Sequence, residues 1–201
     1  TAYLGSPFLL GQSDLMFRNL NASVTYVDNS IDVRGKTLVD KCVLTSSNKL
    51  GNMVVQSFEF ELSCDGLVFY KGETTFGWFL PKDMITQKGL DRGKEKDPWF
   101  VESGVETNTI DLATVYSDTG IRSRDSQLVL MDSAVFSCDG GKHSMGYMYG
   151  TKKVNPVDWF FSCHFWLDPV MPGSLGIEAY VHLLECYCIE SGIVSKFKKP
   201  R

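Results

Sequence analysis

The sequence predicts an α+β fold in which antiparallel sheet surrounds one buried helix, and three observations carry that prediction. Short runs of β-branched and aromatic residues, separated by turn residues, fill the stretch from Asn21 to Phe79. A second set of such runs begins at Leu128. One strong helix, Ser174 to about Glu190, carries Leu175, Ile177, Val181, Leu183, Leu184, Tyr187 and Ile189, which leave it almost no solvent face.

The elements follow in order. Val24–Val27 and Lys36–Leu44 read as strands, and Met53–Leu62 as a third, in which Phe58, Phe60 and Leu62 alternate with Glu59 and Glu61 so that one face is apolar and the other wet. Asp65-Gly66 supplies hairpin-turn chemistry before the returning strand Leu67–Phe76, and together these runs predict an antiparallel meander. From about Met84 to Asp125 periodicity is lost around the charge cluster Asp91–Asp97, a stretch too long for a loop inside one compact domain. The expected organisation is a strand-rich unit over residues 1–83, a linker over 84–125 with a short element around Ile110–Tyr116, and a second unit over 126–201. In that second unit Leu128–Phe136 reads as a strand and Asp139-Gly140-Gly141 as a turn. Met145, Tyr147 and Tyr149 form the alternating face of another strand, and an aromatic loop, Trp159–Trp166, leads to the helix.

Composition narrows the function classes. The 201 residues are 43% apolar and 22% charged, which predicts a packed core. Twenty Lys+Arg against 24 Asp+Glu give a net charge of −4, so no basic field exists to hold nucleic acid. The most apolar stretch, Leu175–Ile189, is interrupted by Glu178, His182 and Glu185, so no membrane span is expected. No secretory signal is visible, and the six cysteines contain no C-x-x-C pair; free thiols in a cytoplasmic compartment are the expectation. The Asn21-Ala22-Ser23 sequon is accordingly read as unmodified.

The helix also holds a contradiction. Ser174, Glu178, His182 and Glu185 make a polar stripe at steps of four, four and three, and charges on a buried helix cost free energy unless they are paired or used. Ser174 suits an N-cap that leaves the first-turn amides free to meet a ligand oxygen. Glu178, His182 and Glu185 also suggest metal ligands, but such sites draw ligands from several helices and only one strong helix is visible. His143, in a Gly-rich turn, is expected at the surface. Cys163 has no second His or Asn pattern to support a nucleophilic role, and Cys186 and Cys188, two apart on a helix, face different directions.

The segment Trp159-Phe160-Phe161-Ser162-Cys163-His164-Phe165, followed by Asp168-Pro169-Val170-Met171-Pro172-Gly173 and by Glu178 fourteen residues after the histidine, resembles the active-site segment of the FabA-like β-hydroxyacyl-acyl-carrier-protein dehydratases. The resemblance implies a hot dog fold, a curved antiparallel sheet wrapped around a central helix. It implies that His164 is the catalytic base, Glu178 its acid partner, that the amide at Gly173, beside Ser174, binds the thioester carbonyl, and that the Val170 carbonyl orients the imidazole. FabA-type members carry Asp where Glu178 stands, whereas the related FabZ-type carry Glu, which leaves the isomerase activity of some FabA-type members open. Removing water from a 3-hydroxyacyl thioester asks for a neutral imidazole as base, a carboxyl of raised pKa as acid and amide donors for the developing enolate oxygen. No metal or organic cofactor is required.

Residues 126–191 look like the first half of a FabA-type hot dog, and residues 21–80 are weakly similar to the second half, in inverted order. The chain is therefore expected to hold parts of two adjacent hot dogs, most similar to the tandem dehydratase domains of polyunsaturated fatty acid synthases. The implied partners are an acyl thioester on an acyl carrier protein and a neighbouring hot dog domain or homodimer partner, because dimeric members build each site from the histidine of one hot dog and the acid of the next. The alternative is a non-catalytic fragment that contributes acyl-binding or interdomain surface. A hot dog thioesterase conflicts with the Pro-Val-Met-Pro-Gly string.

Overall fold

A computed structural model of the chain describes residues 5–11, 14–89, 91–94, 96–165 and 168–198. The chain forms two compact units, Thr1–Gly93 and Lys94–Arg201. The boundary falls inside the segment expected as a linker, and the later part of that segment is built into the second unit.

In the first unit, β1 (Met16–Tyr26), β2 (Leu38–Leu50), β3 (Met53–Cys64) and β4 (Leu67–Phe79) form one antiparallel sheet in the order β1-β4-β3-β2. A short helix, α1 (Pro81–Ile85), follows. The meander holds for β2, β3 and β4, but β1 departs from it by pairing with β4 at the opposite edge from β2. All four strands outrun the apolar runs that announce them, because cross-strand pairing extends each strand through polar neighbours. Asp65 (φ 51°) and Gly66 (φ 81°) give the two-residue turn the positive φ values of a type I′ hairpin. Register shifts at Asn19/Asn21, Leu44/Ser46 and Leu62/Ser63 interrupt all three ladders, and such bulges bend a sheet.

The alternation in β3 sorts the two faces as expected. Val54, Gln56 and Phe58 are buried, whereas Glu59 and Glu61 are exposed. Across the ladder Phe17 stacks on Phe76 (4.9 Å) and lies 4.8 Å from Trp78, so the apolar face is heavily aromatic. Gly72 has a packing reason: a Cβ there would lie 2.3 Å from the Ser23 carbonyl oxygen and 2.8 Å from the Phe60 ring.

In the second unit, α2 (Trp99–Ser103) precedes a three-stranded antiparallel sheet, β5 (Asn108–Ile110), β6 (Ser133–Ser137) and β7 (Tyr147–Thr151), in the order β5-β6-β7. The core gathers Ile110, Val115, Met131, Ala134, Phe136 and Cys186, with Leu183, Tyr187 and Ile189 packed against it. The expected strand Leu128–Phe136 is displaced toward the C-terminus. Its first residue, Leu128, closes a 3₁₀ turn, Ser126–Leu128, which the Asp125 carboxylate caps by accepting from the Gln127 N–H at 2.9 Å. Met145 likewise lies outside β7 and is 75% exposed, because Gly146 (φ 103°) delays the strand to Tyr147. Tyr147 and Tyr149 face the α2 aromatics Trp99 and Phe100.

The helix α3 (Gly173–Glu190) corrects two expectations. Only His182 and Cys186 on it are fully buried, while Ile177, Tyr180, Val181 and Leu184 are exposed. Three short strands do not encircle a helix, so one side packs on the sheet and the opposite apolar side stays open. Its N-cap is Pro172 (φ −55°, ψ 132°), not Ser174, and no side chain caps it. The extended proline leads straight into the first turn, which places Ser174 inside the helix. Among the described residues, no helix is long and apolar enough to cross a membrane.

Candidate active site

The aromatic motif folds into a 3₁₀ turn, Trp159–Ser162, anchored at several points. Phe160 is 3% exposed and packs against Phe161 at 4.6 Å. Trp159 donates its indole N–H to the Gln127 carbonyl at 3.2 Å. The His164 amide then donates to the Phe160 carbonyl at 3.0 Å, which ties the histidine to the buried ring.

The His164 imidazole stacks on Phe165 with centroids 4.0 Å apart, and its Nδ1 lies 2.8 Å from the Val170 carbonyl oxygen. A carbonyl only accepts, so Nδ1 carries the proton and a neutral ring holds its lone pair on Nε2. Three residues after Val170 the chain starts α3 at Gly173. The first N–H groups of a helix lack intrahelical acceptors, and among the described residues a methyl group built on Gly173 or Gly176 would meet no atom within 4 Å beyond its chain neighbours and the helix's own backbone. The segment therefore brings His164, Val170, Gly173 and Ser174 into one local unit, an imidazole tied to the loop that leads into a helix start.

Glu178 lies one turn beyond Ser174 on α3 and is held by a different partner. Among the described residues no hydrogen bond joins it to His164; instead its Oε1 accepts from the Arg124 guanidinium. Arg124 also holds Glu185 with two bonds, Nε to Oε2 at 2.9 Å and Nη2 to Oε1 at 3.1 Å, and the Tyr116 hydroxyl donates to Glu185 Oε2 at 2.8 Å. The Arg124 side chain is 9% exposed, whereas Glu178 and Glu185 are about one-third exposed, 32% and 36%. Burial opposes the guanidinium charge, but the hydrogen bonds it donates to Glu178 and Glu185 prevail and hold its pKa above the ordinary arginine value. Burial, reinforced by Glu185, likewise raises Tyr116.

The polar stripe of α3 thus marks the buried margin of the helix. Its centre, His182, is fully buried, stacks on Tyr116 (centroids 6.1 Å, 18°) and, among the described residues, has no hydrogen-bond partner for either ring nitrogen. Burial and then the nearby Arg124 charge push its pKa below the usual histidine value. One turn on, burial pushes the Cys186 thiol up to about 11. All six cysteines are unpaired; Cys163 is exposed, with its Sγ against the Trp159 and Phe160 carbonyls. His143 is exposed in its loop.

Arg124 and Tyr116 are the site residues that sequence reasoning misses. Both lie in the segment without periodicity, and only the uncompensated acids on α3 signal that a cation must come from elsewhere.

Two comparisons bear on this arrangement. Residues 123–201 match the FabA-like domain family. A polyunsaturated fatty acid synthase polypeptide of Thraustochytrium sp. is 40% identical over 210 aligned positions, which take in 98% of this chain. The chain spans only 14% of that relative's length.

Proposed function

We propose, on the premise that residues 123–201 are a FabA-like domain, that this chain is part of a dehydratase converting a carrier-bound 3-hydroxyacyl thioester to the trans-2-enoyl thioester. The observation that carries the reading is the bond from His164 Nδ1 to the Val170 carbonyl, in the loop that leads into a helix start.

In this reading Nε2 of His164 takes the α-proton. The C–H electron pair moves toward the thioester carbonyl, whose oxygen accepts from the Gly173 N–H, with Ser174 next in the first turn; one such donor is worth about 3 kcal/mol in the transition state. The pair then returns to form the double bond as the 3-hydroxyl leaves, and a carboxylate of the Glu178 kind, held in the ionised form by a guanidinium as Glu178 is by Arg124, relays to the departing hydroxyl the proton that the imidazole took. Water departs, and both groups return to their starting forms. Acid–base side chains and amide donors supply this chemistry, so the reading asks for no metal or organic cofactor.

His164 and Glu178, which are held by different partners, serve different sites in this reading, each completed by a neighbouring hot dog or a homodimer partner. In the same reading the first unit is the strand-rich half of an upstream hot dog, and the chain works in the cytoplasm on acyl groups held by an acyl carrier protein. The open apolar side of α3 favours a second reading of the isolated chain, as an inactive part that contributes acyl-binding or interdomain surface until its neighbours complete it.

The test is His164→Ala in the intact protein that contains this chain. Enoyl thioester formation should fall by at least about a hundredfold, the usual worth of a general base. Formation at the unaltered rate overturns the assignment, and release of free acid would identify a thioesterase instead.

A further inference from the structure

Glutamate has three side-chain torsions, and Glu178 sits one-third exposed on the first turns of a helix whose neighbouring surface is open. Left alone, its carboxyl would spread over several rotamers. The structure instead fixes it through a chain of donors and acceptors: the Tyr116 hydroxyl donates to Glu185, Glu185 accepts two bonds from Arg124, and the third guanidinium nitrogen donates to Glu178 Oε1. The two-pronged bond to Glu185 sets the plane of the guanidinium, which sets the direction of its remaining donor. Among the described residues Glu178 Oε2 has no partner, so one oxygen is anchored and the other is left for a substrate hydroxyl.

We propose that Arg124 is a positioning residue for the Glu178 carboxyl, itself locked by Glu185 and Tyr116, so that these three side chains set the aim of the acid without touching substrate. The inference rests on the dehydratase reading. It adds three residues that lie outside the aromatic-histidine motif, two of them outside α3 altogether. Positioning acts on the transition state more than on binding, because the substrate contacts of His164 and of the helix start are untouched.

The experiment is steady-state dehydration by the intact protein carrying Arg124→Gln, Arg124→Lys, Glu185→Gln or Tyr116→Phe, with His164→Ala and Glu178→Gln as references for the reading itself. A misaimed catalytic group costs on the order of a hundredfold, so kcat of Arg124→Gln should fall by about that factor while KM stays within about twofold. Arg124→Lys, which keeps the charge but not the fork, should recover part of the loss, and Glu185→Gln and Tyr116→Phe should lower kcat by smaller factors in the same order as their distance along the network. Thermal unfolding of each variant separates aim from folding. If Arg124→Gln does not fold, the milder Glu185→Gln and Tyr116→Phe decide. Unchanged kcat in the folded network variants, with His164→Ala and Glu178→Gln both inactive, overturns the positioning role alone. Full activity in His164→Ala and Glu178→Gln overturns the dehydratase reading and the positioning role with it.

Discussion

His182 shows how a single side chain links packing to pH. It is fully buried, and among the described residues both ring nitrogens lack partners and the charged and titratable groups facing it are Arg124 and Tyr116 from the loop segment and Glu178, Glu185 and Cys186 from its own helix. Burial and the Arg124 charge outweigh the two carboxylates, so the folded protein holds this ring neutral to lower pH than the unfolded chain does. The unfolded state then binds more protons between the two pKa values, and stability rises with pH across that window. The contribution is complete above about pH 6.5 and is lost as pH falls below it, at up to about 1.4 kcal/mol per pH unit. Urea unfolding at pH 7.5 and at pH 5.5 should show a lower midpoint at the acid end. His182→Leu, which removes two unpaired buried nitrogens, should shrink that difference. An equal acid loss in the variant would move the effect to other groups. The Cys186 thiol on the next turn, raised to about 11, should resist iodoacetamide in the native protein at pH 8, whereas exposed Cys138 is alkylated.

At the scale of elements, the start of α3 offers a substitution in which structure and chemistry separate. Gly173 is the first helical residue, a position where proline is tolerated because that N–H has no intrahelical acceptor. Pro172 already holds ψ 132°, the extended conformation that a following proline demands. Gly173→Pro should therefore leave the thermal midpoint nearly unchanged while removing one amide donor. In the intact protein kcat for dehydration should fall by about 100-fold or more, the cost of losing one oxyanion donor. An unchanged kcat would show that this amide does not meet the substrate. The same helix shows which elements the sequence makes legible. Its length, the proline-glycine entry and the alternation of Phe58, Phe60 and Leu62 are local patterns, read directly from periodicity. The pairing of β1 with β4 and the partnership of Arg124 with Glu178 are long-range, and no local pattern encodes either. The expectation of a helix buried all round was sound about composition; Ile177, Tyr180 and Leu184 are apolar and nonetheless open, because among the described residues the second unit's own sheet has three short strands.

At the scale of the whole molecule, each unit leaves apolar surface that its own elements do not cover. In the first unit the aromatic face of the sheet continues past Phe60 to Tyr26, Val24 and Leu44, all exposed, and no helix of eight residues or more is described there. In the second unit the outer side of α3 is bare. A sheet wanting a helix and a helix wanting more sheet are what two adjacent hot dogs would leave if each were represented by one half. Cys42 offers a direct reading of this. It pairs across the ladder with Phe60, so it lies on the apolar face, and it is exposed in this chain. In the 201-residue chain alone, Cys42 should react with iodoacetamide at a rate near that of Cys138, and open sheet edges and apolar faces should drive self-association at micromolar concentration. In an intact protein where a helix packs across Phe60, Cys42 should be protected at least tenfold, on the order of the protection that stable burial gives, while Cys138 in its loop keeps its rate. Equal labelling of Cys42 in the two settings would mean that no helix covers this face. The first unit would then be a free-standing sheet and not half of a hot dog.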